Sequence, residues 1–169
     1  MSTDGRQGVT TMRPGVAVPR YKTVQLDALR VLAGAFSDTP RQAVVRLCLQ
    51  AEQPMTDAHI HFRLPIKDFD VPPIRDAALA IAWVVWQGII RRKMVYIGCM
   101  GGTGRTGVLL ALLARVTSSE DGPDAIKYIR RVYRAGAVET KEQEQFVRSF
   151  PVKNLRRWYR LCALFRERN

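Results

Sequence analysis

Cys99 and Arg105 are separated by five residues, Met100-Gly101-Gly102-Thr103-Gly104, and Arg105 is followed at once by Thr106. Each part of GCMGGTGRTG has a chemical use. Glycines let successive backbone N–H groups turn inward around an anion, and a helix amino terminus just beyond adds unsatisfied donors and the positive end of a dipole. That field holds a phosphate and also stabilises a thiolate at Cys99, which makes it a nucleophile. Arg105 adds a planar, permanently charged fork able to grip two phosphoryl oxygens at once, which lysine cannot do. Thr106 places a hydroxyl within reach of the sulfur when sulfur becomes the leaving group.

Two other glycine-loop chemistries fit poorly. Gly102 to Gly107 satisfies GxGxxG, but a dinucleotide site also needs an acidic residue at a strand end about 20 positions on. Residues 117–124 (TSSEDGPD) read as a loop instead. The ATP-type loop requires lysine before Ser/Thr, where this chain has Arg105, and glycine where it has Cys99.

A strand and a helix must present this loop. Met94–Ile97 is a short apolar strand, and TGVLLALLARV from about Thr106 to Val116 is an apolar helix. Ala43–Leu49 (AVVRLCL) has the β-branched composition of a buried strand, which puts Cys48 in the core. AHIHFRLPI alternates polar and apolar residues as a half-exposed strand, with His59 and His61 on its solvated face rather than in a metal site, and the loop KDFDVPP follows. Ile74 to Arg91 carries helical spacing, with Trp83 and Trp86 expected in the core. Around Leu26, Leu29, Val31 and Leu32 the spacing predicts a short helix from Tyr21, broken at Ser37-Asp38-Thr39-Pro40. Further helices are expected from Gly122-Pro123 to about Arg134, from Val138-Glu139-Thr140 through Phe146, and from Pro151 to about Arg166.

The loop resembles the signature of the protein tyrosine phosphatase superfamily, nearest its small dual-specificity branch: His-Cys, five residues, Arg, then Ser or Thr. The likeness covers roughly residues 43 to 150. It implies an α/β fold with a central, mostly parallel sheet of about four to five strands flanked by helices. It also implies catalysis by Cys99, Arg105 and Thr106, with Met100, Gly101, Gly102, Thr103, Gly104 and Arg105 holding phosphate. Pro65-Ile66-Lys67-Asp68-Phe69-Asp70-Val71-Pro72 is similar to the family's acid loop, whose aspartate stands four residues before proline. That assigns Asp68 as general acid, with Asp70 as rival. Glu139-Thr140-Lys141-Glu142-Gln143-Glu144-Gln145-Phe146 is similar to a segment whose glutamine positions water, which assigns Gln143. Two departures stand out: Gly98 replaces the histidine before the nucleophile, and Gly101-Gly102 makes the loop more flexible. The resemblance implies hydrolysis of phosphotyrosine, with phosphoserine and phosphothreonine as further options, through a phosphocysteine and without cofactor or metal. RNA 5′ ends, phosphoinositides and a phospho-binding pseudophosphatase are the alternatives.

The bulk properties agree with such a chain. At 169 residues one domain is expected, spanning 21–169, after a loose arm over 1–20 rich in glycine and proline. Three cysteines, Cys48, Cys99 and Cys162, are an odd number at wide spacing and suit reduced thiols, with Cys162 as well as Cys48 read as core. No apolar run approaches a membrane span and no secretory signal opens the sequence, so a cytoplasmic location is expected. The net charge of +12 favours anionic partners: a phosphorylated protein, nucleic acid or phosphoinositide. Lys127, Arg130, Arg131 and Arg134 form one basic stripe and Lys153, Arg156, Arg157 and Arg160 another, each expected as a solvated face. Arg63, Lys67 and Arg75 are expected nearer the mouth of the site.

Overall fold

The structure, a computed structural model, describes residues 20–41, 44–52, 60–118 and 122–168. Residues 1–19 of the expected arm, Ala43 and His59 lie outside these residues. Five strands form one sheet: β1 (Lys22–Leu26), β2 (Leu29–Ala35), β3 (Val44–Gln50), β4 (Phe62–Ile66) and β5 (Met94–Cys99), in the order β1-β2-β5-β3-β4. β1 pairs antiparallel with β2, and all other pairings are parallel. β5 lies in the middle, with Val95, Tyr96 and Ile97 fully buried, as a parallel strand covered on both faces requires.

The helix expected after Tyr21 is instead the β1–β2 hairpin. Val24, Leu26, Leu29, Val31 and Ala33 are all buried, which is period-two alternation interrupted by the turn Asp27-Ala28. The two turn residues shift the phase so that Leu26 and Leu29 face the same side, and three-residue spacing then imitates a helix. Asp27 takes the left-handed conformation (φ 54), and the Tyr159 hydroxyl donates to its carboxylate at 2.7 Å.

α1 (Ile74–Val85) continues into a π-helical turn, Trp86–Ile90. Trp83 stacks on Phe62 at 5.2 Å, as core packing, whereas Trp86 is exposed because the widened turn rotates it off the buried face. α2 (Gly104–Thr117) is buried over its whole length, which explains why its sequence is apolar all round. α3 (Gly122–Val132), α4 (Lys141–Ser149) and α5 (Lys153–Glu167) complete the helical half. Buried Arg115 of α2 donates to the carbonyls of Val147 and Phe150, so the α4–α5 connection is tied to the central helix. Cys48 and Cys162 are buried and outside any disulfide, as their apolar segments led one to expect.

Candidate active site

The β5–α2 connection lies at the carboxyl edge of the sheet, where open parallel sheets bind ligands. Its sequence explains its shape. Gly102 is left-handed (φ 65), and a Cβ there would lie 2.3 Å from the Ala35 nitrogen, so the loop closes against the end of β2 only with glycine. No side chain caps α2 at Thr103, which leaves its first-turn N–H groups to serve an anion.

Cys99 ends β5 and is 2 % exposed. The Thr106 hydroxyl accepts from the Cys99 N–H at 3.1 Å and donates to Sγ at 3.1 Å. One side chain therefore fixes both the backbone and the sulfur of Cys99. Arg105 is also 2 % exposed, with Nη1 donating to the Ile66 carbonyl at 2.8 Å and to both oxygens of Glu52 at 3.2 and 2.9 Å. Its Nη2 lies 3.1 Å from Asp68 Oδ1. Hydrogen bonding from its own backbone, then from the Arg105 guanidinium, holds the Glu52 carboxyl below the usual carboxylate range.

Asp68 and Asp70 part company in space. Asp68 turns to Arg105, while the Asp70 carboxylate accepts from the Val71 N–H at 2.8 Å and caps its own loop. Phe69 between them is left-handed (φ 61) and exposed, and Met100 on the β5–α2 loop is exposed too. Gln143 is fully buried. Its Oε1 accepts from the Glu139 N–H at 2.8 Å in a capping box with Thr140, and its Nε2 donates to the Asp70 carbonyl at 3.3 Å. Gln143 thus ties the acid loop to α4.

A histidine at position 98 has no room. A Cβ on Gly98 would lie 2.9 Å from the Phe36 Cα and 3.0 Å from the Tyr96 ring, because the chain leaving β2 crosses directly over this point. The Tyr96 hydroxyl donates to the Ala35 carbonyl at 2.5 Å and braces that crossing.

The segment after α3 holds the loop from outside. Buried Tyr133 donates to the Gly102 carbonyl, and Arg134 donates to the Gly101 carbonyl at 2.8 Å. Arg130 pairs with Glu144 at 2.8 Å and donates to the Val138 carbonyl at 2.8 Å. Two members of the first basic stripe are therefore bracing residues rather than solvated ones. Arg63 donates to the carbonyls of Gln50 and Ala51, beside Glu52, and so braces the end of β3 instead of lining the mouth. Lys67 and Arg75 are exposed. His61 accepts from the Arg46 N–H at 3.2 Å. Glu52, Tyr133 and Arg134 carry no motif spacing. The only sequence signal for Glu52 is an acidic residue just past a buried strand.

The chain matches a family model described as "Tc-R-P: Polymorphic toxin system, DSP-PTPase phosphatase" over residues 15–117. An uncharacterized protein of Methanocaldococcus jannaschii is 35% identical over 144 residues, 85% of this chain and 84% of that one. Among solved structures, Tk-PTP in its active form aligns with a TM-score of 0.62 at 24% identity, covering 82% of this chain and 97% of the other. The core catalytic domain of the PP-IP phosphatase SIW14 from S. cerevisiae aligns with a TM-score of 0.65 at 15% identity, covering 86% and 95%. DUSP15 does so with a TM-score of 0.65 at 14% identity, covering 82% and 95%. The five-stranded mixed sheet flanked by helices is the fold these structures share. A thiol and a guanidinium on one anion-cradling loop give that fold its chemistry, and with the family match they make this chain a cysteine-dependent phosphatase of the DSP-PTPase family, within the protein tyrosine phosphatase superfamily.

Proposed function

We propose that the protein hydrolyses phosphotyrosine in proteins through a phosphocysteine on Cys99. The observation that carries this reading is the Thr106 hydroxyl bonded to both the N–H and the sulfur of Cys99, which aims the nucleophile into the loop that ends at α2. Cys99 Sγ attacks phosphorus in line, the P–O bond to the leaving group breaks, and Asp68 gives its proton to the departing oxygen. Water then attacks the phosphocysteine, Asp68 takes its proton, and the sulfur leaves as a thiolate held by Thr106. Arg105 and the loop N–H groups balance charge in both transition states. The incoming phosphoryl group displaces Asp68 from Arg105, and the freed carboxylate takes a proton from solvent and turns to the leaving-group side as the general acid.

An aryl leaving group suits the rim. Phe69 and Met100 expose apolar side chains beside Asp68 and the phosphate loop, a wall for a phenyl ring rather than for a polar sugar. A neighbour such as SIW14 handles a PP-IP, but here no residue from Met100 to Gly104 adds positive charge for a polyphosphorylated substrate. Phosphate release from an aryl phosphate and from phosphotyrosine peptides tests the reading, with wild type, Cys99→Ser and Asp68→Ala compared from pH 5 to 8. Turnover abolished by Cys99→Ser and lowered about 10²-fold or more by Asp68→Ala supports it. Vanadate binding without turnover of these substrates favours a phospho-binding module, and turnover only of phosphoinositides or RNA 5′ ends moves the substrate class.

A further inference from the structure

At the opposite end of β5 lies a second basic cavity, distinct from the catalytic loop. About 710 Å³ of space is lined by Arg30, Arg92, Lys93 and Arg166, with Glu167 as the one carboxylate and Ala28, Gly88, Met94 and Ala163 among the apolar lining. Ligand pockets run from roughly 300 to 1,000 Å³, so the volume suits a small molecule larger than a single phosphate. Met94 begins β5 and Cys99 ends it, so this cavity stands about 17 Å from the nucleophile at ~3.3 Å per residue.

Three separate stretches of chain bring these cations together: β2, the turn after the π-helical segment, and α5. A helix dipole accounts for the cations after Ile90 and for Arg166 in the last turn of α5, but not for Arg30 joining them from β2. Arg30, Arg92 and Lys93 are exposed and have no carboxylate partner among the described residues, so their mutual repulsion is not relieved within the chain. Arg166 is fixed against the wall, donating to the Ala28 carbonyl at 2.8 Å. Arg92 adds an independent sign. It stands past the helix end at φ 52, a left-handed position that favours glycine, with the Lys93 N–H bonded to the Gln87 carbonyl at 2.8 Å. The left-handed backbone at Arg92 sets its side chain among the cavity's cations.

We propose that this cavity binds a small molecule bearing two or more adjacent phosphoryl groups, independently of the catalytic site. Cations spread across a mostly polar cavity of this size fit several linked phosphates better than one. The test is calorimetric titration of inorganic tripolyphosphate into full-length protein saturated with orthovanadate, so that the Cys99 site is already filled. One further site is expected, binding tripolyphosphate at least tenfold more tightly than inorganic phosphate and weakening as salt rises. Arg30→Glu should weaken it at least tenfold, with aryl phosphate turnover unchanged. Arg92→Gly separates binding from folding: relief of the left-handed arginine raises the melting temperature while tripolyphosphate affinity falls. No binding to the vanadate-saturated protein, affinity indifferent to both substitutions, or equal affinity for phosphate and tripolyphosphate overturns the proposal.

Discussion

Arg105 is the side chain on which most of the site's electrostatics converge. It is a buried cation, and burial is tolerable because Glu52, Asp68 and the Ile66 carbonyl together satisfy it. On the proposed mechanism Asp68 leaves during turnover, which makes Glu52 the partner that keeps the guanidinium in place when substrate arrives. Glu52→Gln should therefore lower kcat about tenfold while KM stays level or falls, because a less neutralised arginine attracts anions but is less well aimed. Steady-state kinetics on an aryl phosphate checks the split, and a raised KM with unchanged kcat would assign Glu52 only to binding. Gly98 is a residue-scale constraint of another kind. Restoring the family's histidine forces a Cβ against the Phe36 backbone, so Gly98→His should cost about 1–3 kcal/mol in denaturant unfolding and bring no gain in activity.

The phosphate loop is held from two sides, by the end of β2 beneath Gly102 and by the residues that follow α3. Tyr133 is the anchor of that second side. Burial pushes its hydroxyl above the ordinary value of 10.0, so it stays a neutral donor to the Gly102 carbonyl across the working range. Tyr133→Phe leaves that carbonyl unpaired and should cost about 1–3 kcal/mol of stability. A kcat loss with an unchanged pH profile is expected alongside, since the lost bond positions the loop without exchanging protons. The hairpin shows how element type can escape a pattern: a two-residue turn between two short strands placed Leu26 and Leu29 three apart, and only pairing with β5 distinguishes that from a helix.

Across the whole molecule, titration limits stability from both ends. Glu52 and Glu144 are held below their ordinary value of 4.5, Glu144 first by its hydrogen bond from Arg130, so their contribution is present above that value and lost as pH falls through the folded range. Cys162, Tyr96, Tyr133 and Tyr159 are pushed above ordinary values of 9.0 and 10.0 by burial, so the unfolded chain releases protons first and stability falls as pH rises past about 9. Urea midpoints measured from pH 3 to 11 should show a plateau between these limits, and Glu52→Gln should flatten the acid side. The placement of Cys99, Arg105 and Thr106 on one strand–loop–helix was legible in the sequence, because contiguous spacing along the chain is enough to shape such a loop. Distance to Pro72 singled out Asp68 over Asp70 as the proposed general acid, and in space Asp68 turns to Arg105 while Asp70 accepts from the Val71 N–H. The carboxylate behind Arg105, the tyrosine under Gly102, the crowding at Gly98 and the cations gathered from β2, the helix end and α5 were decided only by the tertiary structure. Each depends on residues tens of positions apart meeting across the sheet, and no local period or motif encodes such a meeting.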